Sequence, residues 1–404
     1  MARLSRLRTR TRATAAAVAV IRDGAVVFRG GVPDGTRTAR ARFVSASMSK
    51  MITAATVLAL VDRGKLALHR PIRGVLRELA DQPLGAVTPH QLLTHTAAVA
   101  DLGGCPPAGS PRTRSHLAAL LRPRLLAPPG LFFNYSNGGY AVLAAVVERV
   151  TAQRFADAAT RLVLHPAGMN GARYLRRGEA PPADLVRGVL PSGKPESIDY
   201  WRCALWHGYG GLVATVDDYA RFFALLLRGG APVLSARSAA LMQRAHVTMD
   251  GDRRSYGYGL MRAMTRAGQT LIFHGGGTPA VTTLGIVAPE TRRGVVIFIN
   301  AMLPLGPALG RSLPAVLGVS AQRRPFHPPR PSIDILEALT GYYVAPAPLG
   351  RFVISRRGHT LRFQPLLSAR QAVPSRLTGR FVRVGGRQYF VSRIGVALRR
   401  VKPR

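Results

Sequence analysis

The first pair of residues that could support nucleophilic chemistry is Ser47 and Lys50. They stand three positions apart in the segment Ser47-Met48-Ser49-Lys50, so in a helix the lysine falls on the same face as the serine, one turn further on. A serine hydroxyl needs a base to become a good nucleophile, and an amine held away from water can serve because burial disfavours its charged form. The helix start adds partial positive charge where an oxyanion would develop. The pair indicates acyl transfer, although serine and lysine at this spacing are common in helices.

Tyr135-Ser136-Asn137 is a second segment with useful groups, in a predicted loop directly before a helix. The tyrosine could relay a proton, and the asparagine could form a hydrogen bond with a substrate amide or with the lysine. Without the other segments, the simpler interpretation is a turn with an asparagine cap.

His274-Gly275-Gly276-Gly277 is a third segment, which ends a predicted strand. Its glycines would let a ligand approach the backbone closely. Taken alone, it fits a glycine-rich turn that carries a surface histidine.

In order and local setting, the three segments together resemble those of the serine β-lactamase and penicillin-binding-protein-like hydrolases. In that superfamily the serine of S-x-x-K is acylated, the tyrosine of Y-x-N works with the lysine, and a K-T-G or H-x-G strand borders the site. The resemblance implies that Ser47 is the nucleophile, Lys50 its partner and Tyr135 the proton relay. It further implies that Asn137 makes a polar contact.

For the strand that borders the site, the resemblance implies an oxyanion hole made by the backbone N–H groups of Ser47 and Gly277, with Gly276 beside it. His274 stands where other members carry lysine, which is similar to the esterases and peptidases of the superfamily. Without a fixed ammonium for a ligand carboxylate, efficient β-lactam hydrolysis is not expected.

Further stretches resemble the class C-like branch, so the resemblance covers roughly residues 15–315. One departure is Ala97-Ala98, where members often have Ser-Gly, and we expect it to alter a turn and not the chemistry. The resembling stretches are Phe43–Lys50, Leu92–Thr96, Ala167–Met169 and Gly210–Asp218.

These observations predict a serine hydrolase that acts through an acyl-enzyme on a carboxylic ester or a small amide or peptide. No metal and no organic cofactor are expected. One alternative is a D,D-peptidase or weak β-lactamase acting on peptidoglycan-related substrates. Another is a catalytically silent protein that binds an anionic ligand or polymer.

The apolar pattern predicts the elements that position these residues. Ser47–Asp62 reads as a helix that is apolar on nearly its whole circumference and is therefore buried. Further helices are predicted at Gly139–Val150 and at Val216–Leu227, where Thr215 is a plausible N-cap.

Short runs rich in Val, Ile, Thr and Phe predict strands near both ends of this region. The apolar run 13–21 and the run 25–28 flank a tight turn and read as a hairpin. Later strands are predicted at Thr270–Phe273, Val281–Val287 and Gly294–Asn300. The predicted fold class is α+β: an antiparallel sheet shared by the first and last parts and flanked by helices, with a mostly helical subdomain.

Four regions are predicted along the chain. Residues 1–14 form a basic tail, 15–322 the hydrolase domain, 323–332 a stiff linker rich in proline and arginine, and 333–404 a small antiparallel β module. The module is predicted from alternating segments at Arg351–Ile354, Gly379–Val382 and Gln388–Val391.

The net charge is +38, from 57 basic and 19 acidic residues, and 53 of the basic residues are arginine. Biased codon composition explains this skew most simply, yet such a field should also favour anionic surfaces or polymers in a salt-dependent manner. Aromatic residues do not interleave with the arginines of the tail, and no helix-turn-helix or zinc-finger pattern occurs, so no specific nucleic-acid partner is expected.

The remaining sequence signals are weak. Cys105 and Cys203 are too few for a disulfide framework but could form one bridge. His90 and His95 lack the H-E-x-x-H register and are expected to be packed, hydrogen-bonded histidines. The N-terminal charged and apolar runs superficially copy a signal peptide, but no small-residue cleavage site follows, so we expect the hairpin instead. No apolar run is long enough to cross a bilayer, and the cellular location is left open between the cytoplasm and the cell envelope.

Overall fold

The computed structural model describes residues 13–320, except 101–124 and shorter gaps at 177, 199–201, 251–253, 266, 304, 306–308 and 310–311, together with six strands between residues 341 and 401. Its strands are, in chain order, β1 (Ala16–Arg22), β2 (Ala25–Val32), β3 (Phe43–Val44), β4 (Arg173–Tyr174), β5 (Leu212–Ala214), β6 (Val247–Asp250), β7 (Arg254–Tyr256), β8 (Met261–Met264), β9 (Thr270–Thr278), β10 (Val281–Ala288), β11 (Arg293–Ile299), β12 (Gly341–Val344), β13 (Arg351–Arg357), β14 (Thr360–Pro365), β15 (Gly379–Val384), β16 (Arg387–Ser392) and β17 (Ala397–Val401).

Helices lie between the strands of the first 320 residues. They are α1 (Thr36–Arg40), α2 (Ser49–Asp62), α3 (Pro89–Leu93), α4 (Asn137–Thr151), α5 (Phe155–Ala159), α6 (Ala204–His207), α7 (Val216–Leu227), α8 (Ala236–Gln243) and α9 (Leu313–Leu317). The helices predicted at 47–62, 139–150 and 216–227 are confirmed as α2, α4 and α7, although α2 itself begins at Ser49.

An eight-stranded antiparallel sheet has the order β2-β1-β11-β10-β9-β8-β7-β6. The N-terminal hairpin pairs with the late strands through β1 and β11, with Ala16 opposite Ile299 and Arg22 opposite Arg293. The predicted hairpin and the sheet shared by the first and last parts are therefore confirmed, as is the α+β fold class.

Both faces of this sheet are covered, because alternate residues of its central strands point to opposite sides. Val296 and Phe298 join the main core with α7, whereas Val295 and Ile297 join a smaller cluster that includes Leu317 of α9. The sheet is thus a rigid wall between two apolar layers.

Helix α2 lies in the middle of the main core. All its residues except the last two are buried, as the apolar sequence around its circumference predicts. It contacts α4 and α8, so the start of α2 is held from several directions.

Helix α7 is fixed by a capping box at its start. The hydroxyl of Thr215 accepts a hydrogen bond from the backbone N–H of Asp218, and the Asp218 side chain accepts one from the backbone N–H of Thr215. This arrangement satisfies N–H groups that a helix end leaves without partners, and it confirms Thr215 as the N-cap.

Strand β9 runs further than the sequence predicts. The predicted strand ends before His274, but β9 continues through the glycines to Thr278, because each of those residues pairs with β10. On the other side, β8 pairs only up to Phe273. The second half of β9 therefore has an edge that β8 does not cover.

The C-terminal strands form a separate six-stranded antiparallel sheet, with the order β14-β13-β12-β17-β16-β15. This confirms the predicted antiparallel β module. Its boundary at residue 333 stays a prediction, and the linker 323–332 lies outside the described residues.

Residues 1–12 of the predicted basic tail also lie outside the described residues. Its last two positions are buried or bonded: Ala13 is 6% exposed, and the backbone N–H of Thr14 donates to the side chain of Asn300. Ala98 takes a φ of 53°, a left-handed conformation that costs a residue with a Cβ roughly 1–2 kcal/mol.

Candidate active site

Ser47 is presented at the junction between a short strand and the buried helix. Strand β3 pairs with β5, and after it the chain turns through Ala46, whose φ is 47°. Ser47 follows in a short 3₁₀ turn, Ala46–Met48, that leads into α2. Left-handed backbone at a non-glycine residue is strained and persists only where its surroundings hold it.

Hydrogen bonds of two other serines, Ser45 and Ser49, hold this backbone in place. The hydroxyl of Ser45 donates to the carbonyl oxygen of Leu212 at 2.8 Å and accepts from the Tyr219 hydroxyl at 2.9 Å. The backbone N–H of Leu212 donates to the Ser49 hydroxyl at 3.2 Å. Ser49 is fully buried, and its hydrogen bond with Leu212 joins the turn to β5.

Lys50 is also fully buried. Its ammonium donates to the Ser47 hydroxyl at 3.1 Å, to Oδ1 of Asn137 at 2.7 Å and to the backbone carbonyl of Tyr209 at 3.1 Å. An ammonium has three N–H donors, and these acceptors come from three separate parts of the chain. Lys50 is thus within hydrogen-bond distance of both Ser47 and Asn137, as the sequence analysis predicts.

Tyr135 lies beside this lysine, with the Lys50 nitrogen 4.8 Å from the centre of its ring. The Tyr135 ring packs against His95, at a centroid distance of 4.3 Å. The loop that carries Tyr135 is fixed because the backbone N–H of Ser136 donates to Nδ1 of His95 at 3.1 Å, while the Ser136 hydroxyl caps α4.

His95 is 2% exposed. Burial, with smaller contributions from Lys50 and His274, holds the pKa of His95 well below its usual value. The predicted packing of His95 and of His90, whose Nδ1 lies 2.7 Å from the Tyr258 hydroxyl, is confirmed.

His274 is fully buried, so the simple interpretation of a surface histidine is wrong. Its Nδ1 donates to the carbonyl oxygen of Gly275 at 2.6 Å, which leaves Nε2 to accept from the Tyr256 hydroxyl at 3.1 Å. Burial first, and then the Lys50 ammonium, lower the pKa of His274 to about 3. The imidazole is therefore neutral at pH 7 and lies behind the Tyr135 ring, 6.4 Å away between centroids.

The two candidate glycines of β9 differ in their surroundings. A Cβ on Gly276 would lie 2.3 Å from the Thr283 hydroxyl and 2.4 Å from the Ser45 carbonyl oxygen, whereas a Cβ on Gly277 would meet nothing within 4 Å. Gly276 therefore lets β9 pack against the turn that carries Ser47. Gly277 faces open space.

A cavity of about 320 Å³ borders Ser47. It is lined by residues from each of the three segments singled out above, and by residues that the sequence analysis does not identify. The lining residues are Ala46, Ser47, Asn137, Glu196, Trp206, Tyr209, Gly210, Gly277, Thr278 and Pro279. The volume is at the small end of the range for ligand sites, which suits a small substrate.

Three of these residues, Glu196, Trp206 and Tyr209, have no motif around them that could have marked them. Tyr209 and Trp206 precede the stretch Gly210–Asp218, which is the nearest available signal. Only the folded chain brings them to Ser47.

Among the described residues, no group of three or more His, Cys, Asp or Glu side chains is placed to hold a metal ion. Cys203 is disulfide-bonded, and Cys105 lies outside the described residues. In the part of the chain that the structure describes, no helix is long and apolar enough to cross a membrane.

Comparison with known proteins gives a consistent result. A family model described as beta-lactamase matches residues 2–316. The chain is 28% identical over 356 residues to a D-aminopeptidase of Gluconobacter oxydans, covering 81% of this chain but only 62% of that relative. It is 29% identical over 304 residues to the esterase EstB of Burkholderia gladioli, covering 63% of this chain and 76% of the esterase. The solved structure of SurE with D-Leu superposes with a TM-score of 0.77 at 26% identity, covering 99% of this chain and 98% of that one.

Proposed function

Because this chain belongs to the beta-lactamase family, we propose that it is a serine hydrolase that forms an acyl-enzyme on Ser47. The observation that carries the proposal is the Lys50 ammonium, which contacts the hydroxyl of Ser47 and the side chain of Asn137 at the wall of a cavity. The relatives named esterase and D-aminopeptidase support an ester or a small amide as substrate.

The proposed reaction begins when Oγ of Ser47 attacks the carbonyl carbon. Lys50 and Tyr135 together take the hydroxyl proton, and the backbone N–H groups of Ser47 and Gly277 stabilise the tetrahedral oxyanion. When the bond to the alcohol or amine breaks, the leaving group receives that proton and the acyl group stays on Ser47.

Water then completes the cycle. It attacks the acyl carbon while Lys50 and Tyr135 accept one of its protons. The same proton returns to Oγ of Ser47 as the bond to the acyl group breaks and the carboxylic acid leaves. In each half-reaction Lys50 and Tyr135 thus act together first as a base and then as an acid.

Substrate preference is proposed from His274. A neutral, buried imidazole at this position provides no fixed positive charge for the carboxylate of a penicillin or cephalosporin. Short acyl esters should therefore turn over faster than either drug. A kcat/KM for a cephalosporin above that for a p-nitrophenyl ester would contradict this.

The test of the nucleophile is labelling with a fluorophosphonate probe, followed by peptide mapping. Label should map to Ser47 and should be absent from Ser47→Ala, which should also lose esterase activity. Ser49→Ala is the matched control: it should still be labelled. It should lower the free energy of unfolding by about 1–3 kcal/mol, because the buried N–H of Leu212 loses its acceptor. Label on another residue would contradict the mechanism.

Two alternatives remain as outcomes of the same work. A panel that adds D-alanyl peptides would favour a D,D-peptidase if these were the best substrates. Absence of labelling and of turnover would favour a silent binding protein. The contacts of Ser47 and Lys50 argue for activity over silence.

A further inference from the structure

One wall of the cavity combines a carboxylate with aromatic rings. Glu196 lines it together with Trp206 and Tyr209, whose ring centroids lie 5.4 Å apart. Among the described residues that line the cavity, Glu196 is the only acidic one, in a chain with three times as many basic as acidic residues. General charge composition therefore does not account for a carboxylate at this place.

The backbone around Glu196 is fixed. Its N–H donates to the carbonyl oxygen of Gly188 at 2.8 Å, and its own carbonyl accepts from the guanidinium of Arg187 at 2.7 Å. A Cβ on Gly188 would lie 2.7 Å from that of Ala280, so this segment packs tightly beside the end of β9. The half-buried side chain of Glu196 therefore extends from a backbone position that is well fixed.

The carboxylate lies close to the reacting end of the cavity. The Thr278 hydroxyl is 3.5 Å from Oε2 of Glu196, and Thr278 directly follows Gly277, the proposed oxyanion donor. A substrate whose carbonyl is held between Ser47 and Gly277 would therefore extend towards Glu196.

The charges that line the cavity determine which charge on such a substrate is favoured. Carboxylates form charge-assisted hydrogen bonds with ammonium groups, and the faces of Trp and Tyr attract cations by their quadrupoles. A carboxylate on the substrate would instead meet a like charge. The Lys50 ammonium lies 5.4 Å from the centre of the Tyr209 ring, but it does not reverse this preference, because it is fully buried and bonded to Ser47, Asn137 and the Tyr209 carbonyl.

We propose that Glu196, with Trp206 and Tyr209, is a specificity-determining site that selects esters or amides bearing an ammonium group within a few bonds of the scissile carbonyl, on either its acyl or its leaving-group side. Both primary and quaternary ammonium share the required chemistry. The inference rests on the proposed function, since it assumes that Ser47 is the nucleophile.

The test compares matched substrates on the full chain. Acetylthiocholine is paired with 3,3-dimethylbutyl thioacetate, its neutral isostere, and D-alanine p-nitroanilide with propionyl p-nitroanilide, which lacks the amine. Wild type should show a kcat/KM at least about tenfold higher for a charged member, the effect of one charge-assisted contact. The first pair reports a quaternary and the second a primary ammonium.

Glu196→Gln should lose most of this preference, measured as the ratio of kcat/KM between the charged and the neutral member of each pair. Glu196→Lys should invert the preference. Glu78→Gln is the matched control, because it removes the same charge from an ion pair with Arg149, at the opposite end of α4 from Asn137. It should keep the wild-type preference.

Equal rates on both members of each pair by wild type would overturn the proposal without any variant. So would a preference that survives in Glu196→Gln. Turnover of the neutral substrates that depends on Ser47, without any preference for the charged ones, would refute this inference alone. Absence of Ser47 labelling and of all turnover would refute the proposed function.

Discussion

At the scale of single residues, the central feature is a buried lysine whose three donors are shared among a hydroxyl, an amide and a backbone carbonyl. While Lys50 donates to Ser47, it cannot also accept the proton of Ser47. One of the two residues must therefore be deprotonated before attack, and we propose that Lys50 shares that proton with Tyr135, whose ring centre lies 4.8 Å from the Lys50 nitrogen. The two residues should behave as one acid–base unit.

This coupling can be measured. Lys50→Ala and Tyr135→Phe should each lower kcat by about 10²- to 10⁴-fold, the range for general acid–base groups. The double variant should lose much less than the product of the two single losses, because either change already disables the unit. Steady-state kinetics on a p-nitrophenyl ester tests this, and multiplicative losses would show that the residues act independently.

A second property at the scale of single residues is the pH dependence of the free energy of unfolding, to which buried histidines contribute. His207 is 5% exposed and its Nε2 donates to the carbonyl of Leu175 at 3.0 Å. Burial lowers the pKa of His207 to about 4 against a usual value of 6.5, although the bond to Leu175 opposes this shift. Between these two values the unfolded chain binds a proton that the folded chain does not.

The free energy of unfolding should therefore be highest above pH 6.5 and should fall as the pH drops towards 4. One such histidine contributes a slope of about 1.4 kcal/mol per pH unit inside this window. His207→Gln should flatten the slope by about one proton in urea titrations between pH 7.5 and 4.5. An identical slope in wild type and variant would contradict the assignment.

At the scale of elements, β9 joins the main sheet to the turn that carries Ser47. Its His274 side is covered by buried aromatics, and its Gly276 lies against Ser45. The strand continues past the end of β8, so its exposed edge borders the cavity. The relative position of β9 and α2 therefore sets the geometry of the site.

Two neighbouring glycines of β9, Gly276 and Gly277, allow the effect of β9 packing on the site to be tested within one strand. Gly276→Ala should push β9 away from the Ser45–Ser47 turn, because its Cβ would overlap the Ser45 carbonyl and the Thr283 hydroxyl, and both stability and activity should fall. Overpacking of this kind typically costs about 1–3 kcal/mol. Gly277→Ala should keep wild-type stability, since its Cβ meets no atom within 4 Å.

Thermal unfolding and ester kinetics on both variants provide the measurement. Loss of stability in Gly277→Ala equal to that in Gly276→Ala would show that the difference in packing does not matter. Full activity in Gly276→Ala would show that the contact with Ser45 does not position Ser47.

At the scale of the whole molecule, the family match ends at residue 316, and a separate antiparallel sheet follows between 341 and 401. From Arg323 to the end, the sequence carries a net charge of +15 out of +38. About a fifth of the chain therefore supplies well over a third of the charge. We infer that this part shapes access or association and takes no part in the chemistry.

The full chain should bind vesicles that contain anionic lipid, and binding should weaken steeply as salt rises towards physiological strength, because the attraction is screened. A chain that ends at Arg323 should bind more weakly while keeping esterase activity. Cosedimentation with anionic and neutral vesicles measures this. Equal binding by the two chains, or binding indifferent to salt, would show that the arginines reflect composition only.

The sequence by itself determined the local elements and the candidate reactive residues. Alternating and helical periodicities predict the hairpin, α2, α7 and the late strands, because each depends on residues close together in the chain. The segments of Ser47, Tyr135 and His274 were likewise recognisable, since their motifs are short and local.

Tertiary structure decided what lies around those residues. Lys50 meets Asn137 and the Tyr209 carbonyl across 87 and 159 positions of sequence, and no local pattern encodes such contacts. The sequence predicts a surface position for His274, but folding buries this side chain and thereby keeps its imidazole neutral. Folding also brings Glu196 to the cavity, although no sequence motif marks this residue. Local periodicity specifies which face of an element is apolar, but only the packing of distant elements specifies which polar groups meet.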